Sequence, residues 1–270
     1  MPAKEVELVK VTPELAREWL VLNTRNRNMR QAVVRAYAAD MLTGNWEWNG
    51  ESIKFATDGS LLDGQHRLAA IAESGVTLSI LVVRGLDASS QDTVDGGAKR
   101  KFSDVLKLRG ERNPLLLAAI ARRIVLWEAG TRSMDGRAKQ TPTNSQMLKV
   151  IETDPCIRDI AGPSAQVATH CSLPASLIGF AWWLFAQTGP DDCEFFFARL
   201  SDGQGLVKGD PIYELRRAAE NSRNVRGERS DRYLAAILIK AWNAYRDGSQ
   251  IALLTFRPGG ARPEKFPEPR

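Results

Sequence analysis

The chain has few of the residues that staple or metallate small proteins. Its 270 residues include three cysteines, Cys156, Cys171 and Cys193, and two histidines, His66 and His170. An odd number of widely spaced cysteines argues against a disulfide framework and fits a reducing cytoplasm. No Cys-x-x-Cys or His-x-x-x-His pair occurs, which argues against a structural zinc site. The opening Met1-Pro2-Ala3-Lys4-Glu5 lacks the apolar h-region of a secretory signal, so a cytoplasmic protein is expected. Long hydrophobic runs are also missing. The segment Cys171 to Pro190 carries no formal charge, but Pro174 and Gln187 interrupt it. Its apolar centre, Leu177 to Ala186, is too short to span a bilayer and reads as a buried helix, so no membrane partner is expected. There are no internal repeats and no heptads. Charge of neither sign dominates: 37 Lys and Arg face 32 Asp and Glu, a formal net charge of +5. That balance is compatible with a polyanionic partner without demanding one. A hydrophobic content of 43% is enough for one large core or two modest ones.

Helix and turn signals divide the chain into a mixed part and a helical part. Thr12-Pro13-Glu14 is a capped helix start, and that helix is expected to end near Leu22. A polar, basic loop, Asn23 to Asn28, leads to a second helix from Met29 to Thr43, with Val33, Val34, Tyr37, Met41 and Leu42 on one face and Gly44 as the stop. Asp58-Gly59 marks a hairpin between strands Ser52–Ala56 and Ser60–Leu62. A short helix follows from His66 to Glu73, and Leu78 to Val83 reads as a buried strand. Beyond Arg112 the pattern is helical, with helices at 114–129, 145–152, 175–187, 191–199, 211–220 and 231–246. Arg132 to Gln140 reads as a flexible basic linker. The expected fold class is α+β: a small mixed unit over 1–111, a helical domain over 112–250, and an extended Pro- and Gly-rich tail over 251–270.

The densest chemistry lies in Leu61-Leu62-Asp63-Gly64-Gln65-His66-Arg67-Leu68-Ala69-Ala70-Ile71. An apolar pair enters a polar turn, and a helical apolar pattern follows at once. A carboxylate, a Gly-relaxed backbone, an imidazole and a guanidinium are thereby gathered at a helix N-terminus. Such a terminus offers unpaired N–H donors and partial positive charge, which suits a phosphate, and Arg67 adds a planar fork of donors. The residues by themselves indicate a nucleotide or nucleic-acid phosphate site.

The same run resembles the DGQHR-type signature of the ParB/sulfiredoxin superfamily in its phage-type, ParB-like form. The resemblance continues upstream through Asn23-Thr24-Arg25-Asn26-Arg27, similar to the basic substrate box of ParB-like domains, and downstream through Asp95-Gly96-Gly97-Ala98-Lys99-Arg100. It implies a ParB/sulfiredoxin-like nucleotide-binding fold for the amino-terminal unit. Gln65 stands where sulfiredoxins carry their catalytic cysteine, so sulfinic-acid reduction is not expected.

On this reading Asp63 is a general base or magnesium ligand, with a plain turn or N-cap aspartate as the alternative. His66 donates to a phosphate or orients a hydroxyl; otherwise it is a packed histidine. Arg67 pairs with phosphate or, alternatively, with Asp63 or Glu73. Gly64, Gln65, His66, Arg67, Lys99 and Arg100 would cradle the nucleotide. Arg25, Asn26, Arg27 and Asn28 would contact DNA, or form a solvated loop. ParB-like kinases place a carboxylate near the position of Glu51 to take a hydroxyl proton. Trp46 and Trp48 would stack a base, or sit at the edge of the core. The Arg-rich stretch Arg216 to Arg232 is either a nucleic-acid face or a solvated helix exterior.

The expected activity is nucleotide-dependent phosphotransfer to DNA, using ATP or another NTP with Mg²⁺, with a 5-hydroxymethyl-pyrimidine base as candidate acceptor. The alternatives are a non-catalytic or CTP- or ATP-gated DNA-binding protein and a ParB-like metal-dependent nuclease. A DNA clamp is disfavoured because the helical half shows no short-turn helix pair with a basic second helix.

Overall fold

A computed structural model describes residues 4–24, 26, 28–92, 101–132, 141–222 and 230–270. The fold is mixed α+β, with a four-stranded sheet in the amino-terminal part followed by helices. The described residues fall into two compact units, one from 1–100 and 139–146, the other from 101–138 and 147–270.

In the first unit, strand β1 (Glu5–Val11) leads through helices α1 (Pro13–Val21) and α2 (Gln31–Leu42) to strands β2 (Ser52–Ala56) and β3 (Leu61–Asp63), helix α3 (Gln65–Ser74) and strand β4 (Leu78–Leu86). The Thr12 hydroxyl caps α1 by accepting from the Leu15 N–H at 3.2 Å. The strand order is β1-β4-β2-β3. β4 pairs antiparallel with β1 and parallel with β2, while β2 and β3 form the hairpin that Asp58-Gly59 announces. Asp58 holds that turn by accepting from the Ser60 N–H and hydroxyl. One face of the sheet packs on the helices through Val11, Ile53, Phe55, Leu61, Ile80 and Val82, against Ala16, Trp19, Val34, Leu68 and Ile71. β1 has no counterpart among the elements expected from sequence. Its polar–apolar alternation changes phase at Leu8-Val9, so one face reads Glu5, Glu7, Val9, Val11 and the other Val6, Leu8, Lys10, and neither carries an uninterrupted apolar signal.

The second unit is built from α4 (Phe102–Leu108), α5 (Pro114–Glu128), α6 (Asn144–Thr153) from Met147 onward, α7 (Cys156–His170), α8 (Ala175–Ala186), α9 (Pro190–Asp202), α10 (Pro211–Asn221) and α11 (Asp231–Arg246). Helix α8 is apolar on all sides because it is buried along nearly its whole length. Its Phe185 stacks on Phe197 and Trp242 and meets Phe196 edge to face. α7 was not expected from sequence because Gly162 and Pro163 interrupt it. A proline inside a helix costs about 3 kcal/mol. The buried stripe Ile157, Ala161, Ser164 and Val167 runs through it and offsets that cost. On α5 the buried stripe is Leu117, Ile120, Ala121 and Ile124, with Leu116 only half-buried. The 251–270 segment has no helix or strand, yet it is anchored: Leu254, Phe256 and Phe266 join the core, and Asn243 donates to the Glu268 carbonyl and accepts from the Arg270 N–H. Among the described residues no helix is long and apolar enough to cross a membrane.

Candidate functional site

The hairpin register builds the site. Antiparallel pairing of β2 with β3 sets Lys54 directly opposite Asp63, and cross-strand neighbours share a face. The Lys54 ammonium donates to Asp63 Oδ2 at 2.8 Å. Gly64 then turns the chain into α3 with φ at +103°. A side chain is disfavoured here twice over, by that φ and because an added Cβ would lie 2.9 Å from Cγ1 of buried Ile53. The turn aims the Gly64 N–H at Asp63 Oδ1, 2.7 Å away.

Arg67, one turn into α3, reaches back over this corner. Its Nη2 donates to Asp63 Oδ2 at 3.2 Å and to the Ser52 carbonyl at 2.7 Å, and its Nη1 donates to Glu51 Oε2 at 2.8 Å. One guanidinium therefore bridges the two carboxylates. Its Nε–H is buried and meets no acceptor among the described residues. Of the four charged side chains, Glu51 is the most open, at 55% exposure, whereas Arg67 is held to 12%. Burial pushes the Asp63 pKa up, but the hydrogen bond from Lys54, the charges of Arg67 and Lys54 and the Gly64 N–H together outweigh burial and hold it below the ordinary aspartate value. A carboxylate so stabilised in its charged form is a weak base and a good partner for cations.

The neighbouring polar residues hold the corner in place. Gln65 is buried and accepts from Asn23 Nδ2 at 2.9 Å. Asn26 donates to Asn23 Oδ1 at 2.6 Å and to the Leu61 carbonyl at 2.7 Å. This network clamps the loop after α1 onto β3 and α3. His66 Nε2 accepts from the Arg30 N–H at 3.1 Å, at the entrance to α2. Asn28 is exposed. Trp46 packs edge to face on Tyr37 at 5.3 Å and belongs to the rim of the core, while Trp48 is 66% exposed. Arg25, Arg27, Lys99 and Arg100 lie outside the described residues, as do Arg223, Arg226 and Arg229.

Of the residues expected from sequence, Asp63, Gly64, Arg67 and Glu51 come together; His66, Gln65 and Asn26 serve the surrounding scaffold; Trp48 points to solvent. Lys54 was missed: Phe55 pairs with Leu61, and it is the irregularity between Lys54 and Phe55 that brings Lys54 across from Asp63. The described arginines of the Arg-rich stretch have internal partners. Arg216 donates to the Leu200 and Ser201 carbonyls, Arg217 pairs with buried Glu214 at 2.6 Å, and Arg232 lies over the Phe256 and Phe266 rings.

Among the described residues no group of three or more His, Cys, Asp or Glu could cage a metal. Glu51 and Asp63 are the two carboxylates of the corner, each paired with the Arg67 guanidinium. Two cations and two carboxylates in one corner balance to zero. Such a corner complements a magnesium–phosphate pair, which brings both signs, better than a bare anion. Comparisons with family models, curated proteins and solved structures find no match for this chain.

Proposed function

We propose that the β2–β3–α3 corner is the magnesium–nucleotide site of a ParB-like phosphotransferase that acts on DNA. The observation that carries this reading is the four-charge cluster of Lys54, Asp63, Arg67 and Glu51, set beside the N-terminus of α3 and shaped by Gly64. The DGQHR-type resemblance supports it. With ATP or another NTP bound, Lys54 and Arg67 would hold phosphate oxygens while Asp63 would hold Mg²⁺; the metal would polarise the transferring phosphoryl group. Asp63, with its lowered pKa, is the electrostatic anchor rather than the base. Glu51, exposed and tethered by one arginine, is the carboxylate placed to accept the proton of an acceptor hydroxyl. Trp48, exposed close by in sequence, offers a ring on which an extruded base would stack.

Incubation with γ-labelled ATP, Mg²⁺ and DNA of normal or 5-hydroxymethyl-pyrimidine content tests the proposal. Label entering only the hydroxymethylated DNA, and lost in Glu51→Gln and Asp63→Asn, is the expected result. Nucleotide binding without transfer to any DNA would refute the DNA kinase and favour a nucleotide-gated DNA binder, for which the full charge pairing of Asp63 already speaks. Nicking of plasmid without nucleotide would favour the nuclease instead.

A further inference from the structure

The strand register places one row of side chains across the sheet on the face turned away from the helices. Asp63 pairs with Lys54, Lys54 with Val83, and Val83 with Val6. The adjacent row runs from Ser52 through Leu81 to Leu8. The alternate residues, Ile53, Val82 and Ile80, point the other way into the core. Val6 and Leu8 are 63% and 62% exposed, Leu81 and Val83 are half-buried, and none of the four belongs to either hydrophobic cluster of the described residues. The face is therefore graded. Its β3 edge carries the charge cluster, and its β4 and β1 strands carry an aliphatic patch of Val83, Val6, Leu81 and Leu8, bordered on the same face by Ser79 and Lys10.

Resting on the nucleotide-site reading above, we infer that this aliphatic patch is the seat of the nucleotide's base. Three strand spacings of about 4.8 Å separate Asp63 from Val6, so the row is about 14 Å long. A triphosphate, a ribose and a base laid in series fill such a row. The phosphates lie at Lys54 and Arg67, and the ring lies flat over Val83 and against Val6, Leu8 and Leu81. A ligand that fits must be anionic at one end and flat and apolar at the other, in a straight line, as a nucleoside triphosphate is. A protein segment added along β1 would cover the patch but leave the charged end of the same row unused. An aliphatic seat holds a base by its face rather than its edges. Selection among bases should therefore follow ring area, with ATP and GTP bound more tightly than CTP and UTP.

The test compares Mg²⁺–ATP with Mg²⁺–tripolyphosphate by titration calorimetry. Val83→Thr keeps a strand-forming, isosteric residue, and the double variant Val6→Thr/Leu8→Thr alters only exposed positions. Each should weaken ATP binding roughly tenfold or more while leaving tripolyphosphate binding unchanged, and the heat-capacity change should be more negative for ATP. If tripolyphosphate binds but neither variant affects ATP, the phosphate site stands and the base sits elsewhere. If the variants change self-association on sedimentation and not ATP affinity, the patch is a protein interface and the inference falls. If neither ligand binds the unaltered protein, both this inference and the nucleotide-site reading fall.

Discussion

Gly64→Ala should destabilise the amino-terminal unit by far more than a glycine-to-alanine change elsewhere in a turn. Two costs add at this position. At a φ of +103° an L side chain is strained by about 1 kcal/mol. The new methyl would also lie 2.9 Å from Ile53 Cγ1 and 3.3 Å from Ile53 Cα, and the latter is backbone that cannot rotate away. Ile53 is fully buried in the sheet core, so the relief must come from moving β2 or α3, at about 1–3 kcal/mol. Stiffening of the unfolded chain returns about 0.5 kcal/mol. The net loss is about 1.5–3.5 kcal/mol. Gly59→Ala is the control: its φ is +81° and an added Cβ meets nothing within 4 Å, so only the conformational cost of about 1 kcal/mol remains. Two units need not unfold together. The assay is therefore hydrogen exchange of peptides from β2, β3 and α3, where Gly64→Ala should speed globally protected exchange by about tenfold or more. Adding Ile53→Ala should recover part of the loss beyond additivity, because it removes the clashing Cγ1. Equal effects for Gly64→Ala and Gly59→Ala would refute the claim that close approach of β2 dictates glycine at the mouth of α3.

Asp63→Asn removes the shared partner of Lys54 and Arg67, each less than a third exposed, and should cost about 2–3 kcal/mol at pH 7. Because the native Asp63 pKa is lowered, its contribution is present above the unfolded value near 4 and is lost as pH falls through the native value, so denaturation curves of variant and parent should converge in acid. Asp40 behaves in the opposite sense. Burial raises its pKa against the lowering effect of the Thr143 hydroxyl, which donates to it at 3.2 Å. Its contribution is fullest below pH about 4 and is lost as pH rises through the native value, so Asp40→Asn should stabilise the protein at pH 7 and make no difference in acid. Burial, with a smaller push from Glu194, raises the Cys193 thiol to a pKa of about 12, so its thiolate fraction at pH 8 is on the order of 10⁻⁴. Maleimide should label exposed Cys156 and spare Cys193 until the protein is unfolded, as peptide mass spectrometry would show.

Features encoded within a few residues were legible in the sequence. Thr12-Pro13 announced α1, Asp58-Gly59 the hairpin, and Asp231 to Arg246 the last helix, because caps, turns and the 3.6-residue period act locally. The run from Asp63 to Arg67 advertised a polar corner at a helix start for the same reason. β1 was not legible, because an edge strand with alternating glutamates becomes a strand only by pairing with β4, far along the chain. α7 was not, because burial of Ile157, Ala161 and Val167 overrides the proline that a local reading treats as a stop. Gln65 and Asn26 looked like ligand groups; only the fold showed that both bond Asn23, and that Asn26 also bonds the Leu61 carbonyl of β3.

The sequence by itself determined which chemical groups the corner contains: a carboxylate, a glycine, an arginine and a second carboxylate upstream. Tertiary structure decided how they are paired. Lys54 entered through the hairpin register, Arg67 came to bridge Asp63 and Glu51 because α3 starts beside β2, and Val6 and Val83 fell into line with Lys54 through strands that the sequence sets far apart. Residue types and local periods are written along the chain, whereas the protonation state of Asp63 and the composition of a sheet face depend on neighbours that only the folded topology brings within a few ångströms.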